Sequence, residues 1–176
     1  VFLVEETALA MQHATTIATR YSAVRVQGGQ PERPILDYRT QQARLLPLVA
    51  SAYACHFAAM DLRGRYWRYR QTGRGLATLH ATSACLKSHC TGVGADGIEM
   101  CRLLCGGHGY SMASGLPALH AEFVPSQTYE GDNVVLLLQT ARWIVKRVHS
   151  GRADDVEEAG PEVGGYLGRA EPLPRP

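Results

Sequence analysis

The sequence predicts an all-α fold: an antiparallel four-helix bundle over residues 1–150, followed by a linker or flexible tail over residues 151–176. Long segments carry apolar residues every three or four positions. Glycine and proline cluster between these segments, as in the connections of helical bundles, and no strand-like alternation or internal repeat is visible. With 176 residues, 45% of them hydrophobic, the chain has enough material for one domain with a real core.

The first two helices are bounded by turn-forming residues. The first is expected from about Val4 to Val26, with glycines and prolines between Gly28 and Pro34 ending it. The second is expected from Asp37, a residue type favoured at helix N-caps, to about Arg70. Its first half is apolar on most sides, which predicts burial between other helices.

The third helix is expected at about Leu76 to Leu104 and the fourth at about Gly131 to Val148. Small residues in the third allow close helix contact, and a break near Gly92 to Gly94 is as well supported as a continuous helix. Gly106 to Thr128 lacks a sustained period and is expected to be a long loop. Loops of this length in compact domains are usually functional.

Composition excludes several classes of function. The formal net charge is +2 and the basic residues are dispersed, which argues against nucleic-acid binding. No apolar run reaches the roughly 20 residues of a membrane span, so none is predicted. Five cysteines, an odd number, indicate reduced thiols inside a cell. The chain lacks an initiator Met and a secretion signal, and we expect it to be a piece of a longer protein.

Two segments could carry chemistry, and each also has an ordinary interpretation. The glycines of Cys105 to Tyr110 expose backbone amides to a phosphate or cofactor, although a helix C-cap and turn would explain Gly106 equally well. Glu130, at the entrance to the fourth helix, could be a general base or a carboxylate favoured by the helix dipole. Spacing alone favours the ordinary interpretation in both cases.

Arginine and cysteine residues raise two further possibilities. Arg25, with Gln27 beside it, ends the first helix, where its guanidinium could bind a phosphate or complement the helix dipole. Cys101, Cys105 and His108 have spacings that zinc could use, as does a second cluster of cysteine and histidine at residues 80–90. Neither cluster contains a Cys-x-x-Cys pair, and buried free cysteines are ordinary small hydrophobes, so no metal site is predicted.

Several motifs in a fixed order nevertheless carry a family resemblance over roughly residues 7–151. They are IATRYSAVR at 17–25, ILDYRTQQ at 35–42, CRLLCGGHGYS at 101–111, SGLP at 114–117, TYEGDN at 128–133 and LQTAR at 138–142. Together they resemble the acyl-CoA oxidases, relatives of the acyl-CoA dehydrogenases.

The resemblance implies roles for individual residues. Glu130 would be the base that removes the α-proton of an acyl-CoA while the β-hydrogen leaves as hydride to the flavin of FAD. Its own backbone N–H, together with a flavin ribityl hydroxyl, would polarise the thioester carbonyl. The remaining implied residues would contact FAD, either the cofactor of a neighbouring subunit or the flavin beside the base: Arg25, Gln27, Gly106, Gly107, Asp132 and Asn133.

The implied activity is oxidation of fatty acyl-CoA to trans-2-enoyl-CoA, with O2 as electron acceptor and H2O2 as product. This is the first step of β-oxidation, in a peroxisomal homodimer that shares FAD between subunits. Gly28 and Gly29 stand where the dehydrogenases commonly have Phe, which favours the oxidases. The alternatives are a dehydrogenase that uses electron-transfer flavoprotein and a non-catalytic helical module for metal binding or association.

Overall fold

Helices make up most of residues 1–150, the part of the chain that this computed structural model describes. The long helices are α1 (Phe2–Val24), α2 (Arg39–Thr72), α3 (Leu76–Leu104) and α6 (Asn133–Ser150). The short elements are β1 (Val26–Gln27), β2 (Arg33–Pro34), α4 (Gly107–Tyr110), α5 (Leu116–Phe123) and 3-10 turns at Ile35–Asp37, Met112–Ser114 and Val124–Gln127. The predicted all-α helical bundle is confirmed.

Polar contacts at the helix ends show how the first three helices run. Gln41, at the start of α2, donates to Ser22 Oγ near the end of α1 at 2.9 Å and to the carbonyl of Leu104 at the end of α3 at 3.0 Å. At the other end of the same pair, Glu5 of α1 forms an ion pair with Arg63 of α2 at 2.8 Å. Helix α2 is therefore antiparallel to both α1 and α3.

The fourth long helix, α6, lies on the outside of this three-helix core and packs chiefly on α3. The hydroxyl of Ser88 donates to the carbonyl of Asn133 at 2.9 Å, and Arg147 donates to Thr78 Oγ1 at 3.3 Å, so the two helices are antiparallel. Within residues 1–150, the two hydrophobic core clusters contain no residue of α6. Its exposed apolar side chains are Val134, Val135, Leu137, Leu138, Ile144 and Val145.

Close packing explains why α3 stays continuous through its glycines. A Cβ on Gly94 would lie 2.7 Å from the buried ring of Phe123, and one on Gly97 would lie 2.5 Å from Sδ of Met11. These contacts hold α1 and α5 against α3, and their packing offsets the low helix propensity of glycine. The break considered near Gly92 is absent.

The surroundings of α2 differ from the sequence prediction. Asp37 lies in a 3-10 turn, and Tyr38 occupies the N-cap without a side-chain bond. The predicted burial of its first half is wrong for the described chain, because that half exposes large apolar residues: Leu46, Tyr53, Phe57 and Met60. By length and composition α2 could cross a membrane, but core helices of soluble proteins pass the same test. The absence of a membrane span remains a prediction.

Two other expectations are wrong at the level of local structure. The predicted loop from Gly106 to Thr128 folds into α4, α5 and two 3-10 turns, which are too short to show a sustained period. A two-residue antiparallel pairing, Val26 with Pro34 and Gln27 with Arg33, closes the turn after α1. Strands this short carry no alternation signal. The predicted linker at residues 151–176 lies outside the described residues.

Candidate functional site

Glu130 lies in a tight turn between the Val124–Gln127 3-10 turn and α6. Its φ is 53°, in the left-handed region that non-glycine residues rarely adopt, and φ of Gly131 is 104°. Two successive residues with positive φ reverse the chain sharply and leave Glu130 exposed at the surface. Such backbone strain persists only where the surrounding structure holds it, and it concentrates at functional sites.

The polar groups of Glu130 are available to a ligand. Among residues 1–150, neither its carboxylate nor its backbone N–H forms a hydrogen bond. The helix-start role considered for it belongs to Asp132, whose Oδ1 accepts from the N–H groups of Val134 at 2.9 Å and Val135 at 3.4 Å. No contact therefore supports the interpretation of Glu130 as a carboxylate that stabilises the start of α6.

A cluster of acidic side chains surrounds the neighbouring tyrosine. Desolvation raises the pKa of Tyr129, and the negative charges of Glu6, Glu130 and Glu122 raise it further. Tyr129 therefore stays a neutral phenol beside Glu130, able to donate a hydrogen bond.

Lys87 of α3, which the sequence analysis missed, binds the turn that contains Glu130 through its ammonium group. Its side chain is 6% exposed, and Nζ donates to the carbonyls of Gly131 at 2.6 Å and Gln127 at 3.3 Å and to Oδ1 of Asn133 at 2.9 Å. Burial lowers the pKa of Lys87, and the charges of Asp132 and Glu130 oppose that shift. The sequence did contain a signal, because Lys87 falls on the buried stripe of α3.

Asp132 and Asn133, both predicted to bind the cofactor, have structural contacts. Asp132 caps α6, as described above. Asn133 faces α3, where its Nδ2 donates to Thr91 Oγ1 at 2.9 Å while its Oδ1 accepts from Lys87. Both residues lie within three positions of Glu130, and their contact with a flavin remains a prediction.

The capping role of Asp132 makes a testable prediction. Asp132→Ala should destabilise the protein by about 1 kcal/mol, because two N–H groups of α6 lose their acceptor. Asp132→Ser should retain most of the stability, since serine is also a favoured N-cap. Urea unfolding of the two variants measures the difference. Equal stabilities would rule out the cap, and a loss of FAD affinity in the serine variant would reveal an additional role.

The other predicted cofactor residues gather at the far end of α3. Arg25, Gln27 and Gly106 line a cavity of about 390 Å³ beside the start of α2. Two backbone carbonyls of the walls accept hydrogen bonds: the Ile35 N–H donates to the Arg25 carbonyl at 2.8 Å, and the Tyr38 hydroxyl donates to the Gln27 carbonyl at 2.7 Å. The structure thus brings three of the predicted residues together in one concave site.

Gly107 comes directly after Gly106 in the chain, is not among the residues that line the cavity, and begins α4. The backbone is open at both glycines, because a Cβ on Gly106 or Gly107 would meet no atom within 4 Å. Gly106 also has φ of 56°, which favours glycine. Beside them, Tyr21 Oη and Nδ1 of His108 are 3.0 Å apart and share a hydrogen bond. The N–H of Gly106 donates to the Leu103 carbonyl at 3.0 Å, whereas the N–H of Gly107 has no acceptor within residues 1–150 and suits an anionic group.

The predicted site residues therefore form two groups. Glu130, Asp132 and Asn133 lie near Lys87 of α3, whereas the cavity lies at Leu104. At about 1.5 Å per residue, those two positions are about 25 Å apart along the helix. We refer to the first group as the Glu130 turn and to the second as the Arg25 cavity.

The cysteine clusters do not assemble into a ligand set in the described part of the chain. No three His, Cys, Asp or Glu side chains within it come close enough to hold a metal ion. Cys101 and Cys105 are buried in the core, and burial raises the pKa of Cys101 to about 12. Thiols in such surroundings are poor metal ligands because the thiolate is the binding form.

The chain matches a known family model and known proteins. The model described as acyl-CoA oxidase, C-alpha1 domain, matches residues 1–145. Human peroxisomal acyl-coenzyme A oxidase 1 is 48% identical over 163 residues, covering 86% of this chain and 25% of that protein. Its Arabidopsis thaliana counterpart is 48% identical over 183 residues, covering 97% and 27%. The chain thus spans about a quarter of the length of these relatives.

Solved structures agree with the sequence matches. Arabidopsis thaliana acyl-CoA oxidase 1 superposes with a TM-score of 0.81 at 48% identity, covering 86% of this chain and 25% of that one. Acyl-CoA oxidase-1 of Caenorhabditis elegans, complexed with FAD and ATP, gives 0.87 at 40% identity, covering 97% and 27%. Acyl-CoA oxidase-2 of the same organism, bound with FAD, ascaroside-CoA and ATP, gives 0.83 at 42%, covering 95% and 26%.

Proposed function

The chain belongs to the acyl-CoA oxidase family, and from that premise we propose that it supplies the catalytic base, Glu130, for FAD-dependent oxidation of fatty acyl-CoA to trans-2-enoyl-CoA. The observation that carries the proposal is the strained, exposed turn in which the carboxylate and the N–H of Glu130 are both unpaired within residues 1–150. Residues 1–150 would act as one helical domain of a complete enzyme.

Proton abstraction needs two groups that Glu130 itself provides. Its carboxylate takes the α-proton, and its backbone N–H donates to the thioester oxygen as negative charge develops there. A bound acyl chain excludes water, and desolvation strengthens a carboxylate base. Bound FAD would supply the acceptor for the β-hydride.

The residues of the Arg25 cavity fit the phosphate part of FAD. The guanidinium of Arg25 is exposed and has no hydrogen-bond partner within residues 1–150. The N–H of Gly107 is exposed and has no acceptor within residues 1–150, as a site for an oxyanion requires, whereas the N–H of Gly106 donates to the Leu103 carbonyl at 3.0 Å. We propose that Arg25, Gln27, Gly106 and Gly107 hold the cofactor, with Asp132 and Asn133 near the flavin.

Removal of the Arg25 charge tests this cofactor site. A hydrogen bond from a charged group contributes about 1.5–3 kcal/mol, so Arg25→Ala should weaken FAD binding by about 10- to 100-fold. Arg74→Ala is the matched control, because Arg74 is exposed in the α2–α3 connection, away from the cavity. Flavin fluorescence during titration of the apo-enzyme gives the dissociation constants. Unchanged FAD affinity in Arg25→Ala would remove Arg25 from the site.

A homodimer is part of the same proposal. The Glu130 turn and the Arg25 cavity are about 25 Å apart along α3, which suits one contact with the chain's own flavin and one with the partner's. The exposed apolar side chains of α2 and α6 offer surface for association. Sedimentation of the flavoprotein that contains this chain would show a dimer, and a monomer that retains FAD would contradict this part of the proposal.

The electron acceptor distinguishes the oxidase from a dehydrogenase. We propose O2, and a peroxisomal location, because relatives at 48% identity carry the name peroxisomal acyl-coenzyme A oxidase. A saturated acyl-CoA added without air should bleach the flavin absorbance, and air should restore it with release of H2O2. Bleaching that air reverses only slowly would point to a dehydrogenase. A protein without flavin would point to a non-catalytic helical module.

A further inference from the structure

Lys87 is one of two lysines in the chain and lies under the Glu130 turn. Its three donor contacts reach Gln127, Gly131 and Asn133, so the acceptors lie on both sides of Glu130 in the sequence. An ammonium group has three N–H donors and no acceptor. The turn therefore satisfies every donor of Lys87, and two of the three bonds go to backbone carbonyls.

Burying this charge is costly, which argues that its contacts matter. Lysine is almost never fully buried unless it is paired, yet Lys87 is 6% exposed and no carboxylate oxygen lies within ion-pair distance of it in the described chain. Burial lowers its pKa, as expected for an ammonium group held by neutral acceptors. A core that needed only packing would be served better by an apolar residue.

Hydrogen bonds join the part of α3 around Lys87 to the start of α6. Ser88 donates to the Asn133 carbonyl at 2.9 Å, and Thr91 accepts from the Asn133 amide at 2.9 Å. Thr91 in turn donates to the Lys87 carbonyl at 2.8 Å within α3. These contacts fix the start of α6 relative to α3. The ammonium group of Lys87 therefore has a defined position from which it donates to the Gln127 and Gly131 carbonyls.

We infer that Lys87 is a positioning residue, which fixes the carboxylate and N–H of Glu130 by holding the backbone on either side of it. This inference rests on the proposed role of Glu130 as the base. The strained φ of Glu130 requires such support, because the turn would otherwise relax toward ordinary backbone geometry. Misplacing a reacting group by about 1 Å can cost about 100-fold in rate.

Lys87→Met in the complete flavoprotein is the first test, since methionine fills much of the same volume and has no donor. We expect the limiting rate of flavin reduction by acyl-CoA to fall about 100-fold while KM changes by less than about threefold. Lys146→Met is the matched control, because Lys146 is exposed on α6. Its rate should equal that of the wild type.

Amide hydrogen exchange separates positioning from general destabilisation. In Lys87→Met, exchange of the Thr128 and Tyr129 amides, which both donate to the Pro125 carbonyl, should rise at least about tenfold, with protection in the core of α1 and α3 unchanged. If that variant does not fold, Lys87→Gln, which keeps an amide donor, should show at least a tenfold lower rate at unchanged KM. A folded variant with the wild-type rate and wild-type exchange in the turn would overturn the inference.

Different results would overturn the role of Glu130 as the base and the role of Lys87 as a positioning residue. Loss of flavin reduction in Glu130→Gln together with full activity in Lys87→Met would overturn the positioning role alone. Full activity in Glu130→Gln would overturn the proposed base, whatever Lys87→Met shows. An equal rise in exchange throughout the protein would also contradict the positioning role, because it would show that Lys87 acts only on overall stability.

Discussion

Replacing Glu130 by Gln should lower the rate of flavin reduction by a saturated acyl-CoA by about 10²- to 10⁴-fold, the usual contribution of a positioned general base. Glutamine is close to isosteric, keeps the backbone N–H and tolerates the turn about as well as glutamate does. The substitution therefore removes the proton acceptor while leaving the donor to the thioester oxygen. Stopped-flow absorbance of the anaerobic flavoprotein measures the rate.

Glu122→Gln is the control for this substitution. Glu122 is an exposed carboxylate of α5 that, like Glu130, acts electrostatically on Tyr129. Its removal should leave the rate within about twofold of the wild type, as usual for a surface change away from reacting atoms. Equal losses in the two variants would mean that the local negative charge matters rather than a base at position 130.

The second large effect is expected at Gly109, where the backbone of α4 packs directly on the end of α3. Gly109 is buried, and a Cβ there would overlap the carbonyl oxygen of Arg102 and lie 3.2 Å from Cβ of Cys105. Because the obstructing atoms include backbone, Gly109→Ala forces α4 away from α3. We expect a loss of about 3 kcal/mol in the free energy of unfolding, the upper end of the usual range for overpacking.

Gly107→Ala serves as the matched control two residues earlier. A Cβ at Gly107 would meet no atom within 4 Å, and its φ is not in the left-handed region, so the unfolding free energy should stay within about 0.5 kcal/mol of the wild type. Urea unfolding of both variants provides the comparison. Similar stability in the two would show that α4 does not need its close approach to α3.

The long helices could be predicted from the sequence because each holds its apolar period over many turns. The end of α3 at Leu104 agrees with the prediction, since glycines follow it directly. Elements as short as α4 and α5 could not be predicted, because fewer than about three turns give no recognisable period. The exposed apolar face of α2 was also unpredictable, since composition does not reveal which neighbours a helix has.

The candidate site was predictable only in part, and the reason differs between residues. Glu130 was singled out by resemblance, and its residue type does not indicate the left-handed backbone that it adopts. Asp132 looked like a cofactor residue, and its capping bonds depend on where α6 begins. Lys87 was missed because its three acceptors lie about 40 or more positions further along the chain, on a turn that only the folded structure brings near.

An isotope-exchange experiment separates removal of the α-proton by Glu130 from hydride transfer to the flavin. An acyl-CoA analogue with deuterium on the α-carbon and no hydrogen on the β-position can lose its α-deuterium but cannot reduce the flavin. We expect the wild-type flavoprotein to exchange this deuterium with water, and Glu130→Gln to exchange it at least about 100-fold more slowly. Equal exchange rates in the two proteins would contradict the role of Glu130 as the base.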